Sequence, residues 1–184
     1  MDYVDLIKFI KLDKSLQDRA VIVGGGSYGG MLAAWLRMKY PQWFQGALAS
    51  SAPILFFEGY VDPEAYDNIA TQDYAKADPE CPVMIKNGFE MLAGLKNIPD
   101  SYDQIAKIFN LCKVPTSSVE IDALINTLNG SFGTMAMVDY PYPTDFIEPL
   151  PGWPINYSCA QAKLAKEQYV GQPLEDLYPI NAAG

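Results

Sequence analysis

Ala20-Val21-Ile22-Val23-Gly24-Gly25-Gly26-Ser27-Tyr28-Gly29-Gly30-Met31 decides how this 184-residue chain folds. Ala20 to Val23 is short, apolar and β-branched, and Gly24 to Gly26 stop it, which predicts a central parallel strand covered on both faces. Met31 to Tyr40 is apolar nearly all round and is closed by Pro41, so a buried helix should follow. Gly46-Ala47-Leu48-Ala49 supplies a second strand. Upstream, Tyr3, Leu6, Ile7 and Ile10 share one face of an amphipathic helix that ends near Lys11 or Lys14. Helix, strand, turn, helix and strand within about fifty residues make a βαβ unit, and the fold class is α/β.

Gly25-Gly26-Ser27-Tyr28-Gly29 has the G-x-S-x-G form of a nucleophile elbow and lies where the chemistry requires it, between a buried strand and a helix. The serine of such an elbow sits on a tight, strained turn, and flanking glycines let strand and helix approach closely enough to push its hydroxyl outward. Placed at a helix N-terminus, Ser27 faces free backbone N–H groups, and the N–H of Tyr28 is the natural oxyanion donor. Met31 lies one helical turn on, so its side chain either lines the pocket beside the nucleophile or packs in the core.

Beyond Glu58 the texture changes to proline-punctuated, helix-rich sequence. We place a boundary near Gly59, with a core segment over 1–58 and a helical region over 59–184. Ser101 with Gln104, and Ser117 with Glu120, have capping-box spacing. Ile121, Leu124, Ile125 and Leu128 form a core-packing stripe, which Asn129-Gly130 should end as a left-handed cap. Prolines at 141, 143, 149, 151 and 154 forbid a long helix or an inner strand, so 139–154 reads as an irregular, aromatic-rich loop.

Asp and Glu outnumber Lys and Arg by 22 to 13, and the net charge of -9 would repel nucleic acid and anionic lipid surfaces. No apolar run of membrane-spanning length occurs, and the N-terminus does not resemble a signal peptide. Cys81, Cys112 and Cys159 lack the paired spacing of a zinc site and there is no histidine to complete one, so neither metal nor cofactor is expected. The odd cysteine count leaves a free thiol or an outside partner. Two sequons, at Asn129 and Asn156, point to a secreted or lysosomal glycoprotein.

Gly25 to Leu32, Arg37-Met38-Lys39-Tyr40-Pro41 and Gly46-Ala47-Leu48-Ala49-Ser50-Ser51-Ala52-Pro53 resemble the lysosomal Pro-Xaa carboxypeptidase and dipeptidyl-peptidase II family of serine peptidases. Ala136 to Phe146, followed by Pro149-Leu150-Pro151 and Trp153-Pro154, resembles a segment of that family's helical cap domain near the substrate cleft. The resemblance implies a partial α/β-hydrolase core followed by a mostly helical cap, and cleavage of short peptides next to proline. Ser27 takes the nucleophile role, Tyr28 the oxyanion role and Met31 a place beside the proline-accepting pocket. Tyr140 belongs to the cleft segment, and Asp139 and Asp145 are candidates to meet a substrate amine, although either equally caps a turn. A homodimer of the full-length enzyme is left open.

The family's catalytic Asp and His follow the cap, and its oxyanion loop precedes the first residue here. This chain has no histidine, and Lys39 sits too far along the nucleophile helix to replace one. The expectation is therefore a fragment truncated at both ends and inactive alone. The alternatives are a catalytically dead binding protein with the elbow retained, and a lipase or esterase using the same elbow. Because family caps are disulfide-bonded, the resemblance also implies that Cys81, taken to open the first cap helix, pairs with Cys159. Cys112 would then bond a cysteine beyond Gly184.

Overall fold

The computed structural model describes residues 2–169. The chain divides into two compact units, Met1–Pro63 and Glu64–Gly184.

In the first unit, helix α1 (Asp2–Ile10) precedes strand β1 (Ile22–Gly26), helix α2 (Tyr28–Lys39) and strand β2 (Gly46–Ser50). The strands are parallel, in register from Ile22 against Gly46 to Gly26 against Ser50. β1 starts two residues later than the apolar run predicts and includes all three glycines. Val21 is engaged before the ladder begins, donating its N–H to Gln45 Oε1 at 2.7 Å and accepting the Gln45 N–H at 2.9 Å. A ladder uses backbone groups alone, so glycines extend it where a side-chain pattern would end it.

Three burial expectations are corrected here. Ile22 and Leu48 are exposed: with only two described strands, β1 exposes alternate residues and β2 exposes every residue from Ala47 to Ser50. α2 starts at Tyr28, three residues earlier than its apolar run, and buries one face through Gly30, Met31 and Ala33 while Met38 is exposed. Along α1, Val4 is the buried residue, whereas Tyr3, Leu6 and Ile10 of the predicted apolar face are exposed.

The second unit holds helices α3 (Ala65–Ala77), α4 (Cys81–Leu95), α5 (Tyr102–Ile108), α6 (Ser118–Met137) and α7 (Pro154–Tyr169), with a 3-10 turn at Pro99–Ser101. One core cluster joins Leu92, Leu95, Tyr102, Ile105 and Ile121, and the predicted stripe residues Leu124, Ile125 and Leu128 pack against it. A second joins Tyr74, Cys81, Ile155 and Cys159, with Phe132 and Ala136 packed on it. This second cluster explains why Asn129-Gly130 does not end α6: Phe132 and Ala136 prolong the apolar stripe, and their burial outweighs the cost of a helical glycine.

The two capping boxes part company. Ser117 is extended, and its side chain accepts the Glu120 N–H at 3.4 Å. The Glu120 carboxylate reaches one residue further back than the motif requires, to the Thr116 N–H at 2.6 Å and the Thr116 hydroxyl at 2.9 Å. Those bonds, with Lys113, hold its pKa down at about 2. Ser101 caps nothing, because its own backbone is helical (φ -83°, ψ -13°) and its hydroxyl donates to the Leu95 and Ile98 carbonyls.

Cys81 and Cys159 form a disulfide with α-carbons 5.4 Å apart, joining α4 to α7. The pairing expected from the resemblance is present, but Cys81 opens the second helix of this unit, not the first. Lys166 to Glu80 and Lys163 to Asp78 lie beside the bridge as surface ion pairs between the same two segments. Cys112 is exposed and unbridged among the described residues.

Candidate active site

Ser27 stands at the junction of β1 and α2 with φ 53° and ψ -124°, a region that side chains rarely occupy. Such strain persists only where the surroundings over-determine it, and both backbone groups of Ser27 are bound. Its N–H donates to the Ser50 carbonyl at 3.0 Å, the last rung of the ladder, and its C=O accepts the Met31 N–H at 3.1 Å. The residue is exposed.

The glycines divide the work differently from the motif. A β-carbon on Gly25 would lie 2.2 Å from the Gly29 carbonyl oxygen, whereas one on Gly29 would meet nothing within 4 Å. Gly29 matters as backbone that Gly25 must clear. The second close approach is at Gly30, whose β-carbon would stand 2.9 Å from the Ser50 oxygen and 3.0 Å from the Ala52 Cβ. The requirement at Gly30 lies outside the five-residue pattern, and the doubled glycine Gly29-Gly30 was the only sign of it in the sequence.

Tyr28 is the first residue of α2, so its N–H belongs to the turn that has no partner within the helix, and its ring is exposed. Its amide and the Ser27 hydroxyl are carried by adjacent residues at the positive end of the helix dipole, as acyl transfer through an oxyanion requires. Met31 follows one turn on and is 4% exposed, so its side chain is part of the packed face of the first unit.

Asp139, Tyr140 and Asp145 share one loop of the second unit. Asp139 Oδ1 accepts the Ile155 N–H at 3.2 Å, capping α7, so one of its oxygens has a structural use. Tyr140 stacks on Tyr142 with ring centroids 5.5 Å apart, and its carbonyl accepts the Trp153 N–H at 2.7 Å. Thr144 and Leu150 form a single antiparallel bridge within the otherwise irregular loop, and Asp145 between them is exposed. The structure thus groups Ser27, Tyr28 and Met31 in one unit and Asp139, Tyr140 and Asp145 in the other. Of the sequon asparagines, Asn129 lies exposed on α6 and Asn156 exposed in the first turn of α7. No helix of the described residues is long and apolar enough to cross a membrane.

The model of the serine carboxypeptidase S28 family matches residues 1–183. The chain belongs to that family. Relatives include the lysosomal Pro-X carboxypeptidase of Homo sapiens, 40% identical over 163 residues, covering 88% of this chain and 33% of the relative. The protein of the same name from Mus musculus is 39% identical over the same length. The prolyl carboxy peptidase like protein 5 of Caenorhabditis elegans is 36% identical over 168 residues, covering 88% of this chain and 32% of the relative. The chain thus spans about a third of the length of these relatives. The family is one of serine carboxypeptidases and implies the α/β-hydrolase fold, to which the parallel β1-α2-β2 unit conforms.

Proposed function

We propose that Ser27 is the nucleophile of a serine exopeptidase that hydrolyses short peptides beside proline, either as a Pro-Xaa carboxypeptidase or as a dipeptidyl-peptidase. The observation that carries this is the Ser27 backbone, strained at φ 53° and tied at both ends on an exposed strand-to-helix turn. The Ser27 hydroxyl attacks the scissile carbonyl, and the Tyr28 N–H receives the developing oxyanion. A general base must take the serine proton. With no histidine among 184 residues, a histidine base would come from outside this chain, and the family resemblance implies the same for its orienting carboxylate.

In this reading residues 1–58 are a segment of the hydrolase core and 59–184 a segment of the cap. Met31, whose side chain is packed in the first unit, backs the wall of the pocket for proline, and Tyr140 lines the cleft. Asp139 and Asp145 meet a substrate amine, with Asp145 the better placed because Asp139 already caps α7. The enzyme is lysosomal or secreted, with glycans at Asn129 and Asn156. The Cys81–Cys159 disulfide supports this, since such bonds persist in oxidising compartments. The relatives' names support the substrate class and the compartment.

The absent histidine favours one second reading, a binding protein that keeps the elbow without catalysis. Assay of the full-length enzyme on proline-containing peptides blocked at one terminus or the other separates the cases. Turnover lost on blocking the C-terminus identifies a carboxypeptidase, and turnover lost on blocking the N-terminus a dipeptidyl-peptidase. No turnover of any of them supports the binding protein.

A further inference from the structure

The backbone turns left-handed twice at the same level of the sheet. The register pairs Gly26 with Ser50, and the next residue on each strand, Ser27 and Ser51, has φ of 53° and 49°. Serine has no preference for that region, so each must be held there. The two turns meet at one group. The Ser50 carbonyl, attached directly to Ser51, accepts the Ser27 N–H at 3.0 Å. On the other side of Ser51, the Ala52 Cβ faces Gly30 of α2, where an added β-carbon would find it 3.0 Å away and the Ser50 oxygen 2.9 Å away. An extended residue at 51 would carry Ala52 onward along the strand instead of over the first turn of α2.

We propose that Ser51 is a positioning residue for the Ser27 hydroxyl. Its left-handed turn keeps the Ser50 carbonyl on the Ser27 amide and Ala52 over Gly30, and so fixes the backbone from which the nucleophile projects. The inference rests on the reading of Ser27 as nucleophile. Ser51 acts through its backbone conformation, so a side chain that tolerates positive φ should replace it and a β-branched one should not.

The test compares Ser51→Val, Ser51→Asn, Gly30→Ala and Ser27→Ala with the wild type in the full-length enzyme, measuring kcat and KM on a proline-containing peptide. Misplacement of a reacting group by about 1 Å costs on the order of 100-fold, so Ser51→Val should lower kcat about 10- to 100-fold with KM within about twofold. Ser51→Asn should restore kcat to within about threefold of wild type, because asparagine accepts the left-handed region. Wild-type kcat in Ser51→Val overturns the proposal, as does an equal loss in Ser51→Asn, which would assign the effect to the hydroxyl. If Ser51→Val does not fold, Gly30→Ala presses on the same carbonyl from the helix side. It must then lower kcat at constant KM, and a rise in KM alone overturns the proposal. Full activity in Ser27→Ala would instead sink the nucleophile reading, a result distinct from all of these.

Discussion

Gly25→Ala tests whether the elbow is held by close approach of backbone to backbone. The new β-carbon would stand 2.2 Å from the Gly29 oxygen, 2.4 Å from the Gly29 carbon and 2.9 Å from the Gly30 nitrogen, where ordinary contact begins at 3.4 Å. All three are main-chain atoms, so no side chain can swing aside. Relief requires the first turn of α2 to move off β1, which strains the Ser27 turn and its bond to Ser50. Overpacking of this kind costs about 1–3 kcal/mol, and the gain from a stiffer unfolded chain offsets only about 0.4–1 kcal/mol of it. Gly24→Ala is the control, since a β-carbon there meets nothing within 4 Å. It should be neutral or stabilise by up to about 1 kcal/mol. Urea unfolding followed by tryptophan fluorescence reports on the right region, because Trp35 on α2 and Trp43 before β2 both lie in this unit. Equal midpoints for Gly25→Ala and Gly24→Ala would refute the argument.

Three further outcomes follow from the second unit. Replacing Cys81 and Cys159 by serine opens a loop of 78 residues, which on the chain-entropy model costs about 4.5 kcal/mol and should lower a urea midpoint by roughly 2 M; a midpoint unmoved on replacement would contradict it. The Glu120 carboxyl is held at about 2 by the Thr116 N–H, the Lys113 ammonium and the Thr116 hydroxyl. A lowered folded pKa gives stability that is present above the ordinary value of 4.5 and is lost as pH falls toward 2, so Glu120→Gln should flatten the acid limb of a stability profile in that window. Tyr74 donates to the Phe132 carbonyl at 3.0 Å, and burial pushes its pKa up to about 12. Its contribution is complete below pH 10 and is lost as pH rises through 12, and an absorbance titration that finds every tyrosine ionising near 10 would contradict this.

Much of the geometry of the candidate site was legible, because glycines around Ser27, an apolar run before it and a helical run after it leave few alternatives to the strand-turn-helix that the structure shows. What escaped was geometry carried by backbone. Nothing in a serine announces φ 49°, so Ser51 read as one letter of a resemblance, and the role of Gly30 appears only once Ser50 and Ala52 are seen against it. Helix ends were misread where tertiary burial overrode local signals. Asn129-Gly130 has the form of a cap, yet Phe132 and Ala136 draw α6 onward into the second core cluster. Ser101 has cap spacing, yet the 3-10 turn at Pro99 already holds it in helical conformation. Burial along α1 and β1 was overestimated because periodicity shows which face is apolar and not what covers it.

The claim on which the rest depends is that Ser27 is the nucleophile. The most direct measurement is to label the full-length protein with a fluorophosphonate probe and map the adduct by peptide mass spectrometry. A single adduct on Ser27, abolished by Ser27→Ala and by prior denaturation, is the predicted result, because a serine hydroxyl reacts at a useful rate only when a positioned base and an oxyanion donor activate it. An active preparation labelled at any other serine, or not labelled at all, would contradict it.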